Sequence, residues 1–198
     1  MDPDNRWVWR MNQRRLEVEA IRDSIVSISG ELKATSPNKT SNVMVGGTQG
    51  NQRGEVRGGQ ARAEATLTSS FRSVYLPVIR DGLPSMFSAF DFAEPSETNG
   101  KRDVTTVPTQ ALFMMNNPFV IEAAESAAKK MLSKPLGPTD ARIQYVHRQT
   151  LGRKATKKEV ARFRKYLASA EDSGAAAPKV WGELYQVMMA TAEFRYLK

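Results

Sequence analysis

Apolar residues recur at helical spacing in two separated stretches of this 198-residue chain, residues 13–29 and 109–194. In the first stretch Arg15 and Arg22 lie at other angles, while one face collects the apolar positions Leu16, Ala20, Ile21, Ile25 and Ile28. No stretch of useful length alternates apolar and polar residues as a half-buried strand does. We therefore predict a mainly α fold, an irregular helical bundle.

The second stretch divides into five predicted helices: 109–115, 118–132, 139–151, one that begins at Thr156, and 180–194. Asn117 and Thr139 are the predicted N-caps of the second and third of these helices. Thr156 and Glu159 match a capping box, in which the hydroxyl and the carboxylate each accept from an end amide of the helix. These local signals predict where the helices begin.

Between the two helical stretches the composition changes twice. Residues 35–70 are rich in Gly, Arg and small polar residues and poor in apolar ones, which predicts a flexible insert. Residues 71–107 are punctuated by prolines and are predicted to be irregular, with a turn of helix near 85–90. We expect residues 1–34, a segment with one amphipathic helix, to pack with residues 71–198 as one domain.

The residue types that the chain lacks exclude several classes of chemistry. There is no cysteine, which excludes disulfides, thiolate nucleophiles and cysteine-based zinc sites. His147 is the only histidine, which excludes a multi-histidine metal site, and its predicted place is a surface or partly buried one. No Walker A, G-x-S-x-G or dinucleotide-binding motif is present. We predict no metal and no cofactor in this chain.

The N-terminal segment carries two tryptophans just before the first helix, Trp7 and Trp9. They are predicted to pack on that helix, with stacking on a sugar as the alternative. The segment shows no basic region followed by an apolar run, so no export signal is visible. No apolar run in the chain approaches the ~18–20 residues that cross a bilayer.

The central stretch is irregular yet rich in the side chains that bind backbone groups or ligands. Its candidate interaction or anion site comprises Arg72, Tyr75, Arg80, Asp91, Arg102, Asp103, Thr105 and Gln110. One interpretation is that these side chains satisfy the amides and carbonyls of a packed irregular backbone, and it is the favoured one. The other is a pocket in which arginines bind an anion and Asp91, Glu94 or Asp103 acts as acid or base.

The net charge of +8 is concentrated in the last third of the chain. The predicted basic patch comprises Arg153, Lys154, Lys157, Lys158, Arg164 and Lys165. A solvated helix face explains this run most simply, and polyanion binding or partner docking are the alternatives. The run lacks the aromatic interleaving by which proteins that bind single strands stack on bases.

Several long segments form specific motifs, which read DPDNRWVWRMN at 2–12, RRLEVEAIRD at 14–23, RSVYLP at 72–77, RDVTTVPTQAL at 102–112 and AEFRY at 192–196. Together they resemble the PSD-type family of planctomycete, cytochrome-c-associated C-terminal domains, a domain of unknown function. The resemblance implies that this chain is the last part of a larger exported protein, periplasmic or at the cell surface. That protein would carry a signal, a second helical domain and often a haem-binding cytochrome module. Members are suspected of a part in polysaccharide degradation, and no catalytic residue can be carried over.

Three hypotheses for the function follow. The first is a non-catalytic helical module that serves a structural or partner-binding role beside the upstream domains of its parent protein. The second is part of an enzyme that degrades a polysaccharide with the carboxylates and arginines of the central stretch. The third is a polyanion binder that works through the basic run at 148–165.

Overall fold

The computed structural model describes residue 2 and residues 5–33, 58–78, 82–172 and 174–197. In this part the chain is mainly helical, which confirms the predicted fold class. The helices are α1 Val18–Ser29, α2 Gly58–Ala65, α3 Ser85–Ala89, α4 Pro108–Asn116, α5 Pro118–Leu132, α6 Thr139–Leu151, α7 Lys157–Asp172, α8 Ala177–Ala190 and α9 Ala192–Arg195. A 3₁₀ turn spans Ser73–Tyr75.

The centre of the bundle is the pair α5 and α8, against which α1 and α4 pack. Helix α5 buries alanines along its length, and Gly182 of α8 faces it, so the two backbones approach closely. A Cβ added at Gly182 would lie 3.3 Å from the Cα of Glu125. Small residues on both helices therefore set the spacing of the central pair.

The helix boundaries agree with the local signals in most cases. The Asn117 side chain accepts from the Phe119 amide at 2.9 Å, which confirms the predicted cap of α5. The capping box of α7 is also confirmed, because Glu159 accepts from the Thr156 amide at 2.7 Å and Thr156 from the Glu159 amide at 3.3 Å. Thr139 is the first residue of α6, and Pro138 holds the cap position, so the predicted Thr139 cap is wrong.

The predicted last helix, 180–194, is divided in two at Thr191. This residue has extended backbone angles and caps α9, accepting from the Phe194 amide at 3.3 Å. Beyond α9, strand β2 (Tyr196–Leu197) pairs antiparallel with β1 (Arg14–Arg15). Strands of two residues are too short to show alternation, so no sequence pattern predicts them.

Part of the predicted flexible insert, 35–70, is folded. Residues 58–65 form α2, and Ala63 and Leu67 are each only 1% exposed in the core. The glycine-rich composition predicted flexibility here, but these apolar side chains and the partners described below hold the segment. Residues 35–57 lie outside the described residues.

The predicted irregular stretch, 71–107, is confirmed as such within its described part. Its regular elements are the 3₁₀ turn and α3. Helix α3 lies where a single turn of helix was expected, near 85–90. We call residues 66–107 the central segment, because their contacts position the candidate site. It runs along α1 and returns to the start of α4.

Candidate binding cleft and N-terminal loop

The Arg22 side chain is fully buried and holds the start of the central segment. It donates to the carbonyls of Phe71 at 2.6 Å, Leu67 at 3.1 Å and Thr66 at 3.3 Å, and also to that of Ser69. Burial lowers the pKa of Arg22, while the Asp23 carboxylate 3.0 Å away supports the charge. Since Thr66 and Leu67 follow the last turn of α2, the guanidinium also meets the negative end of that helix.

The Arg15 side chain is buried too and holds the other end of the segment. It pairs with Asp91 at 2.7 Å and donates to the carbonyls of Thr105 and Phe90. The helical pattern had placed Arg15 and Arg22 away from the apolar face, and both lie in the interior instead. Backbone carbonyls of an irregular segment provide the partners that make this burial tolerable.

Asp91 adopts a left-handed backbone conformation, with φ of 58°, and joins the two sides of the segment. Its carboxylate accepts from the Thr105 amide at 2.8 Å and the Thr105 hydroxyl at 2.9 Å. Desolvation opposes the charge, but the hydrogen bonds from Thr105 and Arg15 outweigh it, so the pKa of Asp91 lies below its usual value. The buried Gln110 donates to the Thr105 carbonyl at 3.2 Å. Asp91, Thr105 and Gln110 thus brace the backbone.

Arg102 crosses from the segment to α1. Its guanidinium lies 2.8 Å from Glu19 and 3.4 Å from Glu17, and 4.6 Å from the ring centre of Phe92. Phe92 in turn packs on Phe87 with ring centres 4.9 Å apart. The predicted site residue Arg102 is therefore held in an internal ion pair and a cation–π contact.

The remaining predicted site residues are more scattered. Tyr75 is half-buried, Asp103 is exposed, and Glu94 is exposed and accepts from the Ser96 hydroxyl at 2.9 Å. Asp91, Glu94 and Asp103, the carboxylates considered for acid–base chemistry, do not line the cleft described next. Arg80 lies outside the described residues.

A cleft of about 480 Å³ lies between α1 and the central segment. Its charged lining residues are Glu17, Glu19, Asp23, Arg72 and Arg102, and its apolar ones include Val74, Leu76, Leu83, Phe87 and Phe92. Of the predicted site residues, it brings together Arg72 and Arg102. No sequence pattern indicates that Glu17, Glu19 and Asp23 line the site. The one signal that could have found them is their place in the stretch at 14–23, which resembles the family motif.

The N-terminal loop, residues 5–12, is ordered around the buried Asn5. The Asn5 amide donates to the Arg10 carbonyl and to the Asn12 side chain, both at 2.7 Å, and Asn5 accepts from the Arg10 amide at 3.2 Å. Its large apolar side chains point into solvent: Trp7 is 84% exposed, Val8 78%, Trp9 59% and Met11 64%. The prediction that Trp7 and Trp9 pack on the first helix is therefore wrong.

The backbone of this loop is strained at its tip. Val8 has a φ of 51°, a left-handed conformation that a β-branched residue rarely adopts. Arg10 lies 5.3 Å from the ring centre of Trp9, and the Trp9 indole donates to the Asp2 carbonyl at 3.1 Å. The loop thus holds four apolar side chains in a fixed, solvent-facing arrangement at a conformational cost.

Two members of the predicted basic patch are neutralised by ion pairs. Arg153 binds Glu159 at 2.7 Å and Glu193 at 2.8 Å, and these hydrogen bonds raise the pKa of Arg153 and lower that of Glu159. Arg164 pairs with Asp140, which joins α7 to the start of α6. The other four members, Lys154, Lys157, Lys158 and Lys165, are exposed.

His147 is buried among α6, α7 and α8 rather than at the surface. It is 1% exposed, its Nδ1 lies 3.0 Å from the Ile143 carbonyl, and its ring meets the Phe163 ring edge-on at 5.1 Å. The sequence pattern had set His147 beside the apolar stripe of α6. The approach of Phe163 from α7, which no local pattern reveals, encloses it.

Two further properties concern the whole described part of the chain. No group of three or more His, Asp or Glu side chains in it is placed to hold a metal ion. No described helix combines the length and the apolar character needed to cross a membrane.

The fold and the site define a mainly helical module in which buried arginines brace an irregular segment beside an open cleft. The chain belongs to the PSD1 family, proteins of unknown function (DUF1553), whose model matches residues 1–167. No curated protein and no solved structure matches the chain.

Proposed function

We propose that this chain is a non-catalytic module of a larger exported, cytochrome-associated protein, and that the N-terminal loop docks it onto another domain of that protein. The observation that carries this proposal is the display of Trp7, Val8, Trp9 and Met11 on an ordered loop. Exposed tryptophans held in one conformation are typical of the anchor residues of protein interfaces. The strained backbone at Val8 supports a role beyond folding.

The arrangement of the central carboxylates supports the non-catalytic part of the proposal. Both Asp91 oxygens accept hydrogen bonds from Thr105, and Arg15 pairs with one of them. Glu94 and Asp103 are exposed and apart from the cleft. A glycoside hydrolase requires two carboxyl groups that face one substrate bond, so Asp91, Glu94 and Asp103 are suited to bracing rather than to polysaccharide cleavage.

The test uses tryptophan fluorescence in a Trp181→Phe background. Trp181 is buried, so after its replacement the emission reports on Trp7 and Trp9 alone. In the 198-residue chain the emission should be red-shifted and readily quenched by acrylamide. In the longest protein encoded in frame with it, the emission should shift to the blue and quenching should fall.

A matched pair of variants distinguishes docking from a change in folding. Trp7→Ser with Trp9→Ser should leave the unfolding of the 198-residue chain unchanged, because the replaced rings are exposed, and should loosen its packing in the longer protein. Leu112→Ser, which removes an exposed apolar side chain on α4, is the control. Equal quenching of the tryptophans in both proteins would contradict the proposal.

A second candidate function, polyanion binding, is favoured by the spacing of exposed cations on α7. Lys158, Arg162 and Lys165 lie at i, i+4 and i+7, on one face. Lys158→Glu should shorten retention on heparin more than Arg164→Glu does, since each reverses one charge and Arg164 already pairs with Asp140. Equal retention of the two variants would argue against a specific patch.

A further inference from the structure

The cleft between α1 and the central segment is lined by apolar side chains and by charges of both signs. We propose that it binds a short zwitterionic peptide, of about dipeptide size, with aliphatic side chains. Its volume of about 480 Å³ falls in the range typical of sites for small ligands. The proposal concerns a different surface from the N-terminal loop and does not depend on the docking of that loop.

One end of the cleft carries an excess of negative charge. Glu17 and Glu19 share a single guanidinium nitrogen, that of Arg102, at 3.4 Å and 2.8 Å. Arg14 also approaches Glu17, at 3.5 Å, but its side chain is exposed outside the cleft, where water screens the contact. Two carboxylates that share one cation in the cleft can accept further hydrogen bonds from a ligand ammonium.

The other end carries an excess of positive charge. Asp23 already accepts from Arg22 at 3.0 Å and from the Ser73 amide and hydroxyl at 2.8 Å and 2.6 Å. Arg72 reaches this carboxylate only through its Nε, at 3.7 Å, and its side chain is 57% exposed. The terminal nitrogens of Arg72 make no other ion pair among the described residues, so they can donate to a ligand carboxylate.

The separation of the two ends selects the length of the ligand. The Cα atoms of Glu19 and Asp23 are one turn apart on α1, about 6 Å along the helix axis, and Arg72 lies beside Asp23, with its Nε 3.7 Å from that carboxylate. The terminal ammonium and carboxylate of an extended dipeptide are separated by a similar distance, because consecutive Cα atoms are about 3.8 Å apart. A single amino acid would span only one of the two ends.

The apolar lining of the cleft selects aliphatic side chains. Val74, Leu76 and Leu83 contribute apolar surface to it. The ring of Phe92 is covered by Arg102 at 4.6 Å and packs on Phe87 at 4.9 Å. Because these aromatic faces are occupied, stacking on a sugar ring is disfavoured, whereas leucine or valine side chains can fill the space.

The test measures binding of leucyl-leucine to the 198-residue chain by NMR titration, with two blocked forms of the same peptide. N-acetyl-leucyl-leucine lacks the ammonium, and leucyl-leucinamide lacks the terminal carboxylate. We expect the free peptide to bind at the cleft and each blocked form to bind about fivefold more weakly, the effect of one partly exposed ion pair.

Two variants assign each charge of the peptide to one end of the cleft. Glu19→Gln should make the free and acetylated peptides bind equally, and Arg72→Gln should do the same for the free and amidated peptides. Glu17→Gln is a second test of the negative end, should Glu19→Gln disturb folding. Asp103→Asn and Arg162→Gln, outside the cleft, are the controls and should leave binding unchanged.

Three results would overturn the proposal. The first is the absence of resonance shifts in cleft residues at millimolar leucyl-leucine. The second is binding of the two blocked forms as tight as that of the free peptide. The third is binding that Glu19→Gln, Glu17→Gln and Arg72→Gln all leave unchanged, since the peptide would then occupy a different surface.

Discussion

The central segment and the C-terminal helices α5 to α8 are both packed, but different interactions hold them in place. The helices satisfy their own backbone groups and bury apolar faces, such as those of Val146, Leu184 and Met188. The central segment has little regular structure, so its carbonyls bind the buried side chains Arg15 and Arg22. Helical packing therefore tolerates many apolar replacements, whereas the segment depends on a few specific donors.

The largest loss of stability is expected when Arg22, the donor at the start of the central segment, is replaced. Arg22→Met keeps an unbranched apolar stem and removes the charge and the donors, which leaves the carbonyls of Thr66, Leu67 and Phe71 without this partner. We expect a loss of about 3–5 kcal/mol in the free energy of unfolding, because buried polar groups lose their partners. Urea denaturation measures the loss.

The matched control for this prediction is Arg162→Met, an equivalent change at an exposed position of α7. It should alter stability by less than about 0.5 kcal/mol. Limited proteolysis adds a local measurement, since Arg22→Met should expose cleavage sites within residues 66–78 before the C-terminal helices are cut. If the Arg22→Met protein were as stable as the Arg162→Met protein, the central segment would not depend on the Arg22 donor, and the comparison would be contradicted.

The next largest loss of stability is expected among the C-terminal helices α5 to α8. Leu184→Ala on α8 removes a side chain that is 4% exposed in the core, at a cost of about 2–4 kcal/mol. Val187→Ala on the same helix changes an exposed side chain and should cost less than about 0.5 kcal/mol. Leu184→Met conserves the volume of the side chain and should retain most of the stability of the unaltered protein, in contrast to Arg22→Met.

The third prediction concerns pH and the Asp91 carboxylate. Its pKa is lower in the folded protein than the ordinary value of about 3.9, so its contribution to stability is present above about pH 4. That contribution is lost as the pH falls through the folded-state pKa. Asp91→Asn removes the charge at a position where Asn tolerates the left-handed backbone.

We expect Asp91→Asn to destabilise the protein by about 1–3 kcal/mol at neutral pH. The difference from the unaltered protein should shrink as the pH is lowered below about 4. Denaturant titrations at a series of pH values measure it, with Asp103→Asn as the exposed control. A difference that stays constant down to acid pH would show that the Asp91 charge does not hold Thr105.

The comparison also explains which parts of the structure could be predicted from sequence. The bounds of α5 and α6, and the capping box of α7, follow from periodicity and from residues three or four positions apart. The burial of Arg22 does not, since its carbonyl partners are more than 40 positions away. A helical pattern assigns such an arginine to the polar side, and only the tertiary contacts reveal its partners.

The same reasoning applies to the cleft and to the N-terminal loop. Residue type alone indicates Arg72 and Arg102, but their neighbours Glu17, Glu19 and Asp23 come from α1 and the residue before it, and no local pattern links that helix to the central segment. The exposure of Trp7 and Trp9 follows from the hydrogen bonds of Asn5, a residue without any distinctive sequence pattern. Long-range and side-chain-to-backbone contacts thus define both surfaces.

The smallest effect is expected at the start of α7, where a local signal was sufficient for the prediction. Thr156→Ala removes the hydroxyl that accepts from the Glu159 amide, and should cost about 1 kcal/mol. Thr156→Ser keeps that hydroxyl and should cost little. Hydrogen exchange should accelerate in the first turn of α7 and remain unchanged in the central segment, because a capping contact acts within its own helix. Faster exchange in both regions would mean that the C-terminal helices and the central segment unfold together. The two regions would then differ in their contacts but not in their local stability.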